Sequence, residues 1–187
     1  TQAVELEPGD VDAHFSLGNT FKSLGILNQA EASYLRALRL KPDYGKAHYN
    51  LGVVQTELGR FEEAEVNFRQ AILAIPSYAE AHNNLGVALQ KLDRLEEAET
   101  SYMQAIAFKP DYAEAYYNAG IVAEQKNSLD VAEANLRQAV ALKPDYVGAH
   151  YTLGTVLLRQ GRHAEGIEEE LLGAGAVSFD LKNGLSV

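Results

Sequence analysis

The chain has 187 residues, 47% of them hydrophobic and 22% charged, with a formal net charge of -10 and no cysteine. That balance excludes disulfides, thiol nucleophiles and cysteine-based zinc sites, and it disfavours nucleic acid and anionic membranes, which recruit lysine and arginine. No apolar run approaches the roughly 18 residues that cross a bilayer and no signal peptide is visible, so no membrane insertion is expected and the location expected is cytoplasmic.

In chain order, the elements repeat. Proline stands at 8, 42, 76, 110 and 144, always 34 residues apart. A period of that length reads as stacked helix–turn–helix units. Let each unit be counted so that its proline is position 32. Residues 1–10 are then a partial unit, 11–44, 45–78, 79–112 and 113–146 are whole units, and 147–172 is a degenerate one. Ala3 and Pro8 fall where Ala37 and Pro42 fall. The first unit therefore lacks its first helix, and the chain reads as a fragment. In 45–78, Ala47, Leu51, Val54 and Leu58 step by three and four, a helical stripe. Leu58-Gly59-Arg60 breaks it. A second helix begins at Glu62 and runs to about Ile75, where Pro76 stops it by removing a donor and crowding the preceding turn. The final second helix is expected over 163–172. Residues 1–172 thus read as one solenoid. In 173–187, Val177, Phe179 and Leu181 alternate as a short strand would. This segment reads as a cap or tail over the last helix pair, with the start of a following domain as the alternative.

Several positions recur in phase. Position 8 is Gly18, Gly52, Gly86, Gly120 and Gly154; position 20 is Ala30, Ala64, Ala98, Ala132 and then Gly166; position 27 is Ala37, Ala71, Ala105 and Ala139. Large residues hold position 24 (Tyr34, Phe68, Tyr102, Leu136). A mid-helix glycine costs roughly 1 kcal/mol relative to alanine, so its recurrence points to close helix packing. These residues resemble the tetratricopeptide repeat family over about 1–172. One departure is position 4, often tryptophan in the family and here His14, His48, His82, Tyr116 and His150. The resemblance implies an all-α fold: a right-handed superhelical solenoid of antiparallel helix pairs, with a concave groove lined by the first helices.

Candidates for chemistry are few. The position-4 histidines lie on successive repeats, too far apart to share a zinc ion, whose ligands sit about 2.0–2.1 Å from the metal; they read as packing between first and second helices. Glu62, Glu63 and Glu65, with Glu96, Glu97 and Glu99, sit at the start of second helices, where carboxylates favour the positive end of the dipole. No catalytic residue, metal site or cofactor is expected.

One constellation points to binding. Position 6 is Asn50, Asn84 and Asn118. Asparagine is a mediocre helix former, so three in phase need a reason. An amide offers donors and an acceptor, so a column of them facing the groove could bond the backbone of an extended peptide. This column is similar to the asparagine ladder in the repeat domain of O-GlcNAc transferases. The alternative is that the amides cap backbone or hold adjacent repeats together. Position 5 adds Tyr49, Asn83, Tyr117 and Tyr151, and position 9 adds Asn19. Tyr44, Tyr78, Tyr112 and Tyr146 read instead as wedges in the turns between repeats. A subclass of the family clamps acidic C-terminal tails of chaperones and resembles this chain at Asn19 and Asn50. Phe15, Glu80 and Asn84 stand where it needs basic residues, so that reading fails.

The function expected is a non-catalytic scaffold holding a protein or peptide segment in the groove. The alternatives are the substrate-recruiting arm of a larger enzyme, such as a glycosyltransferase, and a head-to-tail homo-oligomer formed through the truncated N-terminal repeat.

Overall fold

The computed structural model describes residues 9–175, so the expectations for 1–8 and 176–187 lie outside the described residues. Among the described residues there are ten helices and no strand: α1 (Val11–Ser23), α2 (Leu27–Leu40), α3 (Gly45–Glu57), α4 (Phe61–Ala74), α5 (Ala79–Lys91), α6 (Leu95–Phe108), α7 (Ala113–Gln125), α8 (Leu129–Leu142), α9 (Val147–Arg159) and α10 (His163–Gly173). They alternate as the first and second helices of the predicted units. The chain divides into two compact units, Thr1–Glu97 and Ala98–Val187.

Local signals set the helix ends. The Asp10 carboxylate accepts from the Ala13 amide at 2.9 Å and caps α1, satisfying one orphan donor of the first turn. Each first helix ends on a left-handed residue at position 15: Gly25, Gly59, Asp93, Asn127 and Gly161, with φ between 58° and 82°. The following amide then reaches back to the fifth residue before it, as in Arg60 to the Gln55 carbonyl at 2.8 Å and Ser128 to the Ala123 carbonyl at 2.8 Å. That double-backed ending closes orphan carbonyls, and only glycine, asparagine and aspartate enter its φ region cheaply.

In Thr1–Glu97 the core gathers Ala30, Tyr34, Leu38, Ala47, Leu51 and Val54, with Phe15, Phe21 and Tyr44 packed on it. In Ala98–Val187 it gathers Ala123, Ala132, Leu136, Leu153, Val156 and Leu157. The position-8 glycines permit this closeness. A Cβ on Gly18 would lie 2.5 Å from the Tyr34 ring, and one on Gly52 would lie 2.7 Å from the Phe68 ring. The degenerate last pair goes further. A Cβ on Gly154 would meet the Gly166 carbonyl oxygen at 2.7 Å, and one on Gly166 would meet the Gly154 carbonyl oxygen at 2.9 Å. Where other units place an aromatic or leucine at position 24, the stem of Glu170 lies beside Gly154.

Charged side chains join successive repeats. Arg60 reaches Glu31 at 2.5 Å. Glu65, Arg69, Arg94 and Glu97 form a closed quartet with contacts of 2.9, 3.3, 2.6 and 2.7 Å. Glu133, Arg137, Arg162 and Glu165 form a second quartet at the same phase, with contacts of 2.8, 3.4, 2.6 and 2.5 Å. At Glu99 the partner is instead Lys126, at 2.6 Å. These joints correct one expectation. Glu62, Glu63, Glu96 and Glu97 do lie in first turns, but Glu65 and Glu99 serve inter-repeat ion pairs, because they point along the solenoid and not at their own helix N-terminus. Solvent-exposed pairs contribute only about 0–1 kcal/mol each, so they fix register more than they add stability.

The position-4 histidines are also more than packing. The His48, His82 and His150 Nε2 atoms lie 2.9, 2.9 and 2.8 Å from the carbonyl oxygens of Pro42, Pro76 and Pro144. The His48 Nδ1 faces Asn67 Oδ1 at 2.8 Å, and the His150 Nδ1 faces Glu169 Oε2 at 2.7 Å. The His48 and His150 rings therefore tie the turn before their own repeat to the second helix after it.

Candidate partner-binding face

In Thr1–Glu97, α1 neighbours α3 and α3 neighbours α5, so the first helices lie side by side. The side chains they present carry the predicted site. Asn50 is half-buried. Its Oδ1 accepts from the Lys22 ammonium at 2.5 Å, and its Nδ2 donates to the Lys46 carbonyl at 3.1 Å. Burial holds the Lys22 ammonium below the usual lysine value, opposed by the Glu57 carboxylate, which favours its charge. Asn84, also half-buried, donates from Nδ2 to the Tyr49 hydroxyl at 3.2 Å. Its Oδ1 faces Asn83 Nδ2 at 3.3 Å. Asn19 accepts from the Tyr34 hydroxyl at 2.8 Å.

These bonds link α1 to α3 and α3 to α5, so the amides do join adjacent repeats. They are not exhausted by doing so. An amide has two N–H donors and an oxygen with two acceptor sites. Asn50 and Asn84 each spend one donor and one acceptor site in these bonds, which leaves one of each outside them.

The aromatic row is held by its neighbours. The ring of Tyr49 packs on Tyr78 with centroids 4.7 Å apart and on Phe68 at 6.1 Å. Tyr44 and Tyr78 directly precede α3 and α5 as their caps, in the turns where they were expected. Burial pushes the Tyr78 phenol up to about 12, with smaller contributions from Tyr49 and Glu80. Asn83 departs from the expected site. It is fully buried, because a residue at position 5 points into the packing occupied elsewhere by an aromatic ring; it supports Asn84 and has no surface to offer.

In Ala98–Val187, α7 neighbours α9. Asn118 and Tyr117 are half-buried there. Tyr117 packs on Tyr146 with centroids 4.8 Å apart, and a Cβ on Gly148 would lie 3.0 Å from its hydroxyl. Tyr151 is 61% exposed. Reading by residue type missed Lys22, which pins Asn50; nothing in the 34-residue phase marks it, since position 12 is otherwise Thr56, Gln90, Glu124 and Leu158. Among the described residues no three His, Asp or Glu side chains gather in a way that could hold a metal ion, and no helix is long and apolar enough to cross a membrane.

Paired helices in a fixed 34-residue phase, joined side by side, define a helical-repeat protein. Tetratricopeptide repeat models match residues 18–59, 45–78 and 79–112, and another matches 117–180. The chain belongs to the tetratricopeptide repeat family. No curated protein matches it significantly. Its fold is that of several solved structures. A crystal structure of MamA is 22% identical, covering 86% of this chain and 94% of that one with a TM-score of 0.80. YrrB, described as a TPR protein with an unusual peptide-binding site, is 22% identical over 93% of this chain and 90% of its own, with a TM-score of 0.77. TTC0263, a thermophilic TPR protein of Thermus thermophilus, is 26% identical over 92% and 94%, with a TM-score of 0.70.

Proposed function

We propose that this chain is a non-catalytic scaffold that holds an extended segment of a protein partner on the face of its first helices. The reading rests on one observation. Asn50 and Asn84 sit half-buried on adjacent helices, each pinned by internal bonds and each left with one donor and one acceptor site. Pinned amides bond a ligand backbone without losing much side-chain freedom, which lowers the cost of association. A backbone offers alternating carbonyls and N–H groups, so such a surface is indifferent to side-chain sequence. Asn19, Tyr49 and Lys22 edge this face in Thr1–Glu97. Asn118, Tyr117 and Tyr151 supply residues of the same phase in Ala98–Val187. Net charge of -10 disfavours nucleic acid as the partner.

The test is peptide-array binding by the chain with Asn50, Asn84 and Asn118 all changed to Ala, and in parallel to Asp. The Asp set keeps size and the acceptor for Lys22 while removing the donors. Loss of captured peptides in both sets, with circular dichroism unchanged, supports the reading. Undiminished capture by both refutes it.

A further inference from the structure

One cation on the candidate face of Thr1–Glu97 lacks a bonded counter-charge. Among the described residues 9–97, the half-buried lysines and arginines are Lys22, Arg60 and Arg94. Arg60 and Arg94 each bond a carboxylate, Glu31 at 2.5 Å and Glu65 at 2.6 Å. Lys22 instead bonds the neutral amide oxygen of Asn50, at 2.5 Å. A charge drawn out of water without a bonded partner is costly. Burial accordingly holds the Lys22 ammonium below the usual lysine value, with the Glu57 carboxylate opposing it from a distance.

The matching place in Ala98–Val187 is settled differently. Lys22 stands at position 12 of its repeat, and Glu57 at position 13 of the next. The same two positions further along are Glu124 and Arg159. There the two charges meet: the Arg159 guanidinium bonds the Glu124 carboxylate, and also Asn127 Oδ1 at 2.7 Å. Lys22 has an acid at the corresponding place, yet its ammonium lies on Asn50, on the candidate face.

Other donors stand near it. An ammonium has three N–H groups, and Asn50 takes one. Asn50 Nδ2 keeps one N–H outside its bond to the Lys46 carbonyl. Asn19, three residues before Lys22 and so a neighbour on the same side of α1, accepts from the Tyr34 hydroxyl through Oδ1, a bond that spends neither of its N–H groups. N–H donors around one ammonium fit an oxyanion, and hydrogen bonds to a carboxylate are roughly twice as strong as those to a neutral acceptor. The net charge of -10 does not oppose such a contact, because exposed charges more than about 8 Å away are largely screened at physiological salt.

We propose that the extended segment held on this face carries an aspartate or glutamate whose side chain docks on Lys22, beside Asn50. This rests on the scaffold reading and adds a requirement on the partner's sequence at one position. Glu57 competes for the same ammonium and limits how strongly the acid is held.

The test is capture of arrayed peptides by the 187-residue chain, each captured sequence being printed again with every Asp and Glu changed singly to Asn or Gln, and to Lys. The proteins are wild type, Lys22→Gln, Lys22→Arg, Lys22→Glu and Glu57→Gln, with circular dichroism to confirm that each folds. In wild type, one acid per captured peptide is expected to matter, its amide form binding roughly tenfold more weakly, the ratio that about 1.4 kcal/mol gives. Lys22→Gln should bring that ratio to about one, Lys22→Arg should keep it, and Glu57→Gln should widen it. Lys22→Glu should favour the Lys form over the acid, which a residue that merely braced Asn50 would not do. The proposal is overturned if Lys22→Gln keeps the wild-type ratio, whatever its overall capture, or if Lys22→Glu still prefers the acid. Wild-type capture of acid and amide forms alike overturns it and leaves the scaffold reading standing; a wild type that captures no peptide overturns both.

Discussion

Replacing Gly154 with alanine tests the packing account most directly. A Cβ there would lie 2.6 Å from the Glu170 Cγ, 2.7 Å from the Gly166 carbonyl oxygen and 3.0 Å from the Glu170 amide nitrogen. The glutamate stem can swing away, but the two backbone atoms belong to the facing helix and move only if α9 and α10 separate. Forcing extra volume into a packed contact costs about 1–3 kcal/mol. Alanine returns about 1 kcal/mol over glycine inside a helix, so the net loss is up to about 2 kcal/mol. For a chain of this size that lowers Tm by roughly 2–4 °C per kcal/mol. Repeat proteins can open locally, so hydrogen exchange should show the loss concentrated in α9 and α10. Gly161→Ala serves as the contrast: no atom lies within 4 Å of its Cβ, and its cost comes from φ of 82° alone. A Gly154→Ala chain more stable than wild type, with no loss of protection in α10, would refute the argument that this glycine exists for helix approach.

Two further outcomes follow from the charges. Bonds to Arg94 and Arg162 hold the Glu97 and Glu165 carboxyls below the usual range; burial works against the same effect at Glu133, where Arg137 and Arg162 outweigh it. Their contribution is therefore complete above the ordinary glutamate value of about 4.3 and is lost as pH falls through the depressed folded values. Urea midpoints from about pH 6 down to about pH 3, a range that brackets that value, should fall less steeply in an Arg94→Gln/Arg162→Gln chain than in wild type, and equal slopes would contradict this. Burial pushes the Tyr34, Tyr78 and Tyr146 phenols up to about 12, with Glu57, Tyr49 and Glu114 respectively adding to it. A neutral phenol favoured by the fold stabilises fully below about pH 10 and progressively less towards about 12. Tyrosinate absorbance at about pH 11, between those two values, should therefore show at least these three un-ionised, a group that ionises together with the rest on adding denaturant.

Much of the fold was legible because periodicity reports on what each residue packs against. Gly52 and Phe68 sit at fixed phases, and their contact follows from two helices of known rotation. The break at Gly59 was visible for the same reason, though its equivalence to Asp93 and Asn127 was not; three different residues share one backbone conformation there. Polar joints were harder. Glu65 looks like any acid near a helix start until Arg94, a repeat away, is known to reach it. His48 reads as a packing residue because the proline carbonyl it bonds belongs to the backbone and leaves no mark in the sequence. At the candidate face the row of Asn50 and Asn84 was readable, but their inward bonds to Lys22 and Tyr49 depend on side-chain reach, and Asn83 was assigned to the surface because tyrosines share its phase.

The two closed quartets stand two periods apart, Glu65 matching Glu133 and Arg94 matching Arg162, while the joint between them has Met103, Ser128 and Val131 in the corresponding places. Quartets therefore alternate with simpler joints, where Arg60 holds Glu31 and Lys126 holds Glu99. Removing the single repeat 79–112 would set Glu65 and Arg69 against Ser128 and Val131, whereas removing 79–146 would set them against Arg162 and Glu165 and close a quartet again. The ionic pattern of this solenoid thus recurs over two repeats, twice the length that its prolines announce.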